Sequence, residues 1–263
     1  MQWNKRSTAD YGAMMAETIT ITGHEGKPIK AYYSHPVGQG PYASIVLIPH
    51  MPGWDEWVRE CARRFTDHGY AVVAPNIYED FGDGIPTDVS AKVREKGGCK
   101  DSNVMADTQA SINYLRALPD SNGKVGVIGM CSGGRHTFLA ACTCEGIDAA
   151  VDCWGGGVAT PFPFAATEEK PVLPIELAEN ISCPILGIFG NDDHSPAPEE
   201  VDRTEQVLKD LGKDYTFYRY DGAGHGIWYY DKPMFRQEQA LDSFNKVMDF
   251  FDEKLYGAPP AAE

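Results

Sequence analysis

Residues 126–136 read GVIGMCSGGRH, an apolar run that enters a glycine-flanked turn with a cysteine at its apex. The five residues Gly129-Met130-Cys131-Ser132-Gly133 fit the pattern glycine, any residue, nucleophile, any residue, glycine. That pattern marks a strand-to-helix turn so sharp that its central residue takes a strained backbone conformation. Only small flanking residues then let strand and helix approach each other. The flanks agree, since KVGVIG (124–129) is β-branched and apolar and GGRHTFLAACT (133–143) opens as a helix. A cysteine at a helix N-terminus lies beside the positive end of the dipole, which predicts a thiol more acidic than that of a free cysteine.

Working outward, short apolar or β-branched runs recur at 18–22, 30–34, 44–50, 70–75, 124–129, 147–154, 184–190 and 214–220. Helix-like segments fall at 54–68, 101–118, 132–144, 198–212 and 234–255. The last of these aligns Leu241, Phe244, Val247, Met248, Phe251 and Leu255 at spacings of three or four, as a core-facing helix requires. Two early strands followed by strand–helix alternation predict an α/β fold, a mainly parallel eight-stranded sheet with helices on both faces. The expectation is one domain over 14–257, with 1–13 and 258–263 as flexible termini. Residues 79–101 mix charge, Gly and Pro over more than the usual connection length, and read equally as a cap over the site or as a solvated excursion.

A cysteine nucleophile needs a base to hold its thiolate and later activate water, and an acid to orient that base. Asp193 falls in the turn after PILGIFG, with Asp192 as its competitor one residue earlier, and His225 follows DYTFYRY before the last helix. An oxyanion hole needs two backbone N–H groups. Ser132 supplies one. The other is sought in HMPGW, where Pro49 and Pro52 lack an N–H, leaving Met51 first and Gly53 second. His50 reads equally as a core histidine or a site residue. The remaining histidines fit no ligand spacing, and no H-E-x-x-H motif or carboxylate cluster suggests a metal.

With 38 acidic against 23 basic residues the net charge is −15, so the chain offers no basic face for phosphates and nucleic acid is not an expected partner. Seven cysteines without a C-x-x-C pair suit neither a disulfide framework nor a zinc site and imply a reducing compartment. No signal-like or membrane-spanning stretch is apparent, so a cytoplasmic protein without membrane association is expected. A homodimer is compatible with the sequence.

VVAPNIY, KVGVIGMCSGGR, CPILGIFGNDD and YDGAGHGI together resemble the dienelactone hydrolase family of α/β-hydrolases over roughly residues 17–255, with the nucleophile, acid and base in that superfamily's chain order. The resemblance implies the α/β-hydrolase fold, a Cys131–Asp193–His225 triad and no cofactor. It also shows departures. Members acting on dienelactone carry a glutamate just after the third strand, where the nearest counterpart here is His50. They also carry two substrate-binding arginines, at positions where this chain has Glu79 and Asp80, and Trp228, Tyr229 and Tyr230. Acids and aromatics cannot replace a guanidinium fork on a carboxylate. The expected substrate is therefore a neutral or aromatic ester or lactone rather than dienelactone, with Trp54, Trp154, Trp228 and Tyr229 as candidate pocket walls beside His50.

The thiol itself narrows the chemistry. A thiolate, whose conjugate acid has a pKa of about 8.5, is expelled more readily than a simple alkoxide, so unactivated alkyl esters revert. Enolates, phenolates and strained ring oxygens depart forward and leave a thioester. Two other readings stand beside this one: a non-catalytic ligand-binding or redox-sensing protein of the same fold, and a peptidase, for which no groove is apparent.

Overall fold

The computed structural model describes residues 13–38, 40–160 and 170–257. Its strands are β1 (Met14–Thr22), β2 (Pro28–Pro36), β3 (Tyr42–Ile48), β4 (Ala71–Pro75), β5 (Ser121–Met130), β6 (Ala149–Cys153), β7 (Ile185–Gly190) and β8 (Tyr215–Tyr220). They form one sheet in the order β1-β2-β4-β3-β5-β6-β7-β8. Neighbours from β4 to β8 are parallel, whereas β2 runs antiparallel to both β1 and β4. The sheet is thus mainly parallel and mixed at one edge, the α/β-hydrolase fold.

The central strands are buried on both faces, as parallel strands under helices must be. In β3 the alternation sends Ala43, Ile45 and Leu47 into one core and Tyr42, Val46 and Ile48 into the other. The first core is covered by α1 (Glu56–Asp67) and α6 (Gln237–Phe251), the second side by α2 (Pro86–Glu95), α3 (Asp101–Arg116), α4 (Ser132–Thr143) and α5 (Pro198–Asp210).

Helix α1 starts where the Asp55 side chain accepts the Val58 N–H, and it stops before Gly69, whose φ of +97° no side-chain-bearing residue adopts easily. It buries Val58, Cys61, Ala62 and Phe65, and Phe65 stacks on Phe244 of α6 with ring centres 5.8 Å apart. Each large apolar side chain so placed contributes about 1.5–3 kcal/mol. The expected final helix is shorter than its apolar stripe: α6 ends at Phe251, and Leu255 is carried by a wider turn over Asp252–Tyr256.

The excursion at 79–101 contains a helix that periodicity did not reveal. Helix α2 begins on Pro86 and has only Val89, Ser90 and Val93 buried, so its apolar signal is two valines one turn apart. Gly82, Gly84, Gly97 and Gly98 flank it and mask the rest. The expected flexible termini, Ala13 apart, lie outside the described residues. No helix among the described residues is long and apolar enough to cross a membrane.

Candidate active site

Strand β5 ends in the turn whose apex is Cys131, at φ 56° and ψ −124°. For a β-carbon-bearing residue that is a strained conformation, held here because the Cys131 N–H donates to Cys153 O at 3.0 Å and its carbonyl accepts from Gly134 and Arg135. The glycines are steric necessities. A β-carbon on Gly129 would overlap the Gly133 carbonyl, and one on Gly133 would overlap the Ile48 carbonyl of β3. The first turn of α4 is fastened from below by a buried ion pair, Arg135 Nη1 and Nη2 reaching the two oxygens of Asp101 at 2.7 and 2.8 Å. Burial alone would raise the Asp101 pKa, but His136 and Arg135 outweigh it and hold that carboxyl down at about 2.

Asp193 and His225 come from the turns beyond β7 and β8. Asp193 is 4% exposed; its Oδ2 lies 2.9 Å from His225 Nδ1, and its Oδ1 accepts the Ser195 N–H at 2.9 Å. Asp192 is exposed and turned out of this contact, its N–H on Ala223 O. Burial would lower the His225 pKa, but hydrogen bonds and charge from Asp193 and from the Cys131 sulfur reverse this and raise it to about 10. The imidazole thus sits between a carboxylate and the thiol at the elbow.

Among the described residues neither the Ser132 N–H nor the Met51 N–H donates to a protein acceptor, whereas Gly53 commits its N–H to His50 O at 2.7 Å. The Met51 carbonyl is held by the Tyr78 hydroxyl at 2.9 Å. His50 is buried, bridging Asp55 Oδ2 at 3.0 Å and Tyr229 Oη at 2.7 Å. Sequence alone gave no reason to join these three, because Asp55 falls unmarked in the helix-like run 54–68 and Tyr229 lies 179 positions from His50. Asp101 and Arg135 were missed for the same reason: their pairing is made by the packing of α3 on α4.

Two of the three tryptophans expected as pocket walls, Trp154 and Trp228, lie in the core. Trp228 is 2% exposed, part of the first core, and donates its N–H to Ser243 at 2.8 Å. Trp154 is 1% exposed and edge-on to both Trp228 and Tyr229, so it underlies Tyr229 rather than facing an opening. Trp54 is half-buried with its N–H on Ala74 O and the Arg59 guanidinium over its ring at 4.8 Å. Core packing takes the Trp154 and Trp228 indoles because apolar area gains more from burial than from lining a wet cleft, whereas Trp54 is only partly buried against that core. Among the described residues no group of His, Cys, Asp and Glu side chains gathers as a metal site.

The dienelactone hydrolase family model matches residues 29–255. The carboxymethylenebutenolidase of Pseudomonas putida is 30% identical over 223 residues, 81% of this chain and 86% of that protein. A Methylorubrum extorquens protein provisionally given the same activity is 28% identical over 251 residues, 94% of this chain and 84% of its own length. Among solved structures, a Klebsiella pneumoniae protein provisionally described as a dienelactone hydrolase superposes with a TM-score of 0.82 over 92% of this chain and 99% of that one, at 24% identity, a likeness of fold.

Proposed function

The chain belongs to the dienelactone hydrolase family, and we propose that it hydrolyses activated carboxylic esters or lactones through Cys131, His225 and Asp193 and a thioester intermediate. The observation that carries this reading is the His225 imidazole, bonded to Asp193 through Nδ1 at 2.9 Å and acted on by the Cys131 sulfur. An imidazolium so stabilised is the counter-ion a thiolate needs.

In the proposed cycle the Cys131 sulfur adds to the carbonyl carbon and the oxygen takes the negative charge, received by the N–H groups of Ser132 and Met51. The carbon–oxygen bond to the leaving group then breaks, and His225 Nε2–H gives that oxygen its proton. His225, now neutral, removes a proton from water as the water oxygen attacks the thioester, and collapse of the second tetrahedral intermediate returns the sulfur and releases the acid. Asp193 holds the ring with Nε2 turned to the reaction throughout. A neutral or aromatic substrate suits the site better than dienelactone, since Glu79, Asp80 and the Trp228-Tyr229-Tyr230 run occupy the positions where the resemblance calls for arginine.

The leaving group decides the partition of the first tetrahedral intermediate. Phenyl and vinyl acetate should be cleaved at least about a hundredfold faster than ethyl acetate in kcat/KM, because two decades correspond to only about 2.7 kcal/mol of barrier. Equal rates across the series would count against a thiolate nucleophile.

A further inference from the structure

A second carboxylate–imidazole–hydroxyl chain stands beside the one used above. His50 lies two residues beyond β3 and is 4% exposed, with Asp55 Oδ2 on Nε2 and Tyr229 Oη on Nδ1. Asp55 is also the cap of α1, its Oδ1 accepting the Val58 N–H at 3.0 Å. Burial raises the Asp55 pKa, yet the hydrogen bond and charge of His50 together with the N–H groups of Val58 and Trp57 outweigh it, so the carboxyl stays ionised. An ionised carboxylate only accepts, so the ring proton facing it sits on Nε2. A ring carrying that one proton offers Nδ1 as an acceptor, and Tyr229 donates its O–H there.

Burial and the neighbouring Cys131 push the Tyr229 phenol well above its ordinary pKa, so it keeps its proton. That proton is committed to His50. The phenol oxygen is left with lone pairs, and its ring stands against Gly226, the neighbour of His225, and edge-on to Trp154, the neighbour of the Cys153 whose carbonyl accepts the Cys131 N–H. The Trp154 indole N–H approaches the phenol without meeting hydrogen-bond geometry and has no other partner among the described residues. The residue is fixed in place: its backbone N–H donates to Gly226 O at 3.0 Å, and Trp57 meets its ring edge-on at 5.1 Å. Gly226, at φ 76°, is where a β-carbon would run into the Tyr229 ring. As Gly226 follows His225, one loop delivers both the base and the phenol.

We propose that Tyr229, oriented by His50 and Asp55, is a specificity-determining residue that accepts a hydrogen bond from the acyl group. The preferred substrate is then a neutral ester or lactone whose acyl portion bears a hydroxyl or N–H donor. This rests on the hydrolase reading, because the acyl group is the part that remains on the Cys131 sulfur beside the phenol after the leaving group departs. A carboxylate in that place would set its own lone pairs against those of Tyr229, close to the Asp55 anion, on a chain of net charge −15.

The test compares 4-nitrophenyl 3-hydroxypropanoate, its methyl isostere 4-nitrophenyl butanoate, and the carboxylate 4-nitrophenyl succinate at pH 8. Wild type should favour the hydroxylated ester over the isostere by about tenfold in kcat/KM, with the carboxylate slowest. Tyr229→Phe should bring the hydroxyl-to-methyl ratio to about one. His50→Gln, which can still accept from the phenol and donate to Asp55, should keep the preference, and His50→Leu should lose it. A ratio unchanged by Tyr229→Phe overturns the assignment. Binding of the matching anilides to Cys131→Ala, with and without Tyr229→Phe, should show the same preference without turnover. A preference there that depends on Tyr229, in a protein whose wild type cleaves none of the esters, would sink the hydrolase reading and leave this one standing. No preference in binding or turnover overturns this one.

Discussion

Replacing Asp193 with asparagine removes the carboxylate from His225 Nδ1, 2.9 Å away, while keeping nearly the same shape. The structure sets the size of the effect. His225 is raised from 6.5 to about 10 against a burial cost, and only Asp193 and Cys131 raise it. An opposite charge at this range accounts for about one to three pH units, so the imidazole should titrate that much lower in Asp193→Asn. The asparagine amide can also donate to Nδ1, which would place the ring proton on the wrong nitrogen for proton transfer. Comparable changes in serine hydrolases lower kcat by about 10⁴, roughly 5.5 kcal/mol of barrier, and a fall of 10³–10⁴ in kcat/KM is expected here. The assay is the pH–rate profile of 4-nitrophenyl acetate hydrolysis from pH 6 to 11, alongside the imidazole resonances by NMR. Wild type should hold its plateau until the pH passes about 10, whereas the variant should lose its residual rate at lower pH. A loss of less than tenfold, or an alkaline limb that does not move, would refute the Asp193–His225 linkage.

Asp152 lies 2% exposed beneath α4, and burial, with a smaller push from Glu200, raises its pKa to about 8 even though Gly155 donates to it. Because the folded pKa lies above the unfolded value of about 3.9, the fold binds an extra proton between these limits and loses stability as pH rises through them. Asp152→Asn should therefore melt higher than wild type at pH 9, by several degrees, with little difference at pH 5; equal melting temperatures at both would contradict the raised value. Gly133→Ala places a β-carbon against the Ile48 carbonyl, so it should cost about 1–3 kcal/mol in denaturant unfolding and also slow turnover, because the elbow shifts with it.

Strand positions were legible because parallel strands buried on both faces give apolar runs that nothing else in the chain imitates. The elbow was legible because a β-carbon on Gly129 would meet the Gly133 carbonyl four residues on, which writes the pattern into five consecutive residues around Cys131, although Gly133 itself is imposed from β3 by the Ile48 carbonyl. Asp193 and His225 could be picked out by their place after strands. What sequence withheld was side-chain fate. A tryptophan in a loop carries the same letter whether it ends in the core, as Trp228 does, or beside the thiol. Helix α2 was hidden because only two of its apolar residues face inward. The Asp55–His50–Tyr229 chain was hidden because its members meet only when the β3 turn and the loop after β8 fold against each other.

The reaction itself offers the most direct check on the sulfur as nucleophile. Wild type mixed with phenyl acetate, acid-quenched within the first turnovers and digested, should yield the peptide containing Cys131 heavier by one acetyl group. The adduct should be discharged by hydroxylamine and absent from a folded Cys131→Ala variant that no longer turns over. An acetyl group found on Ser132 instead, or undiminished hydrolysis by Cys131→Ala, would contradict the account.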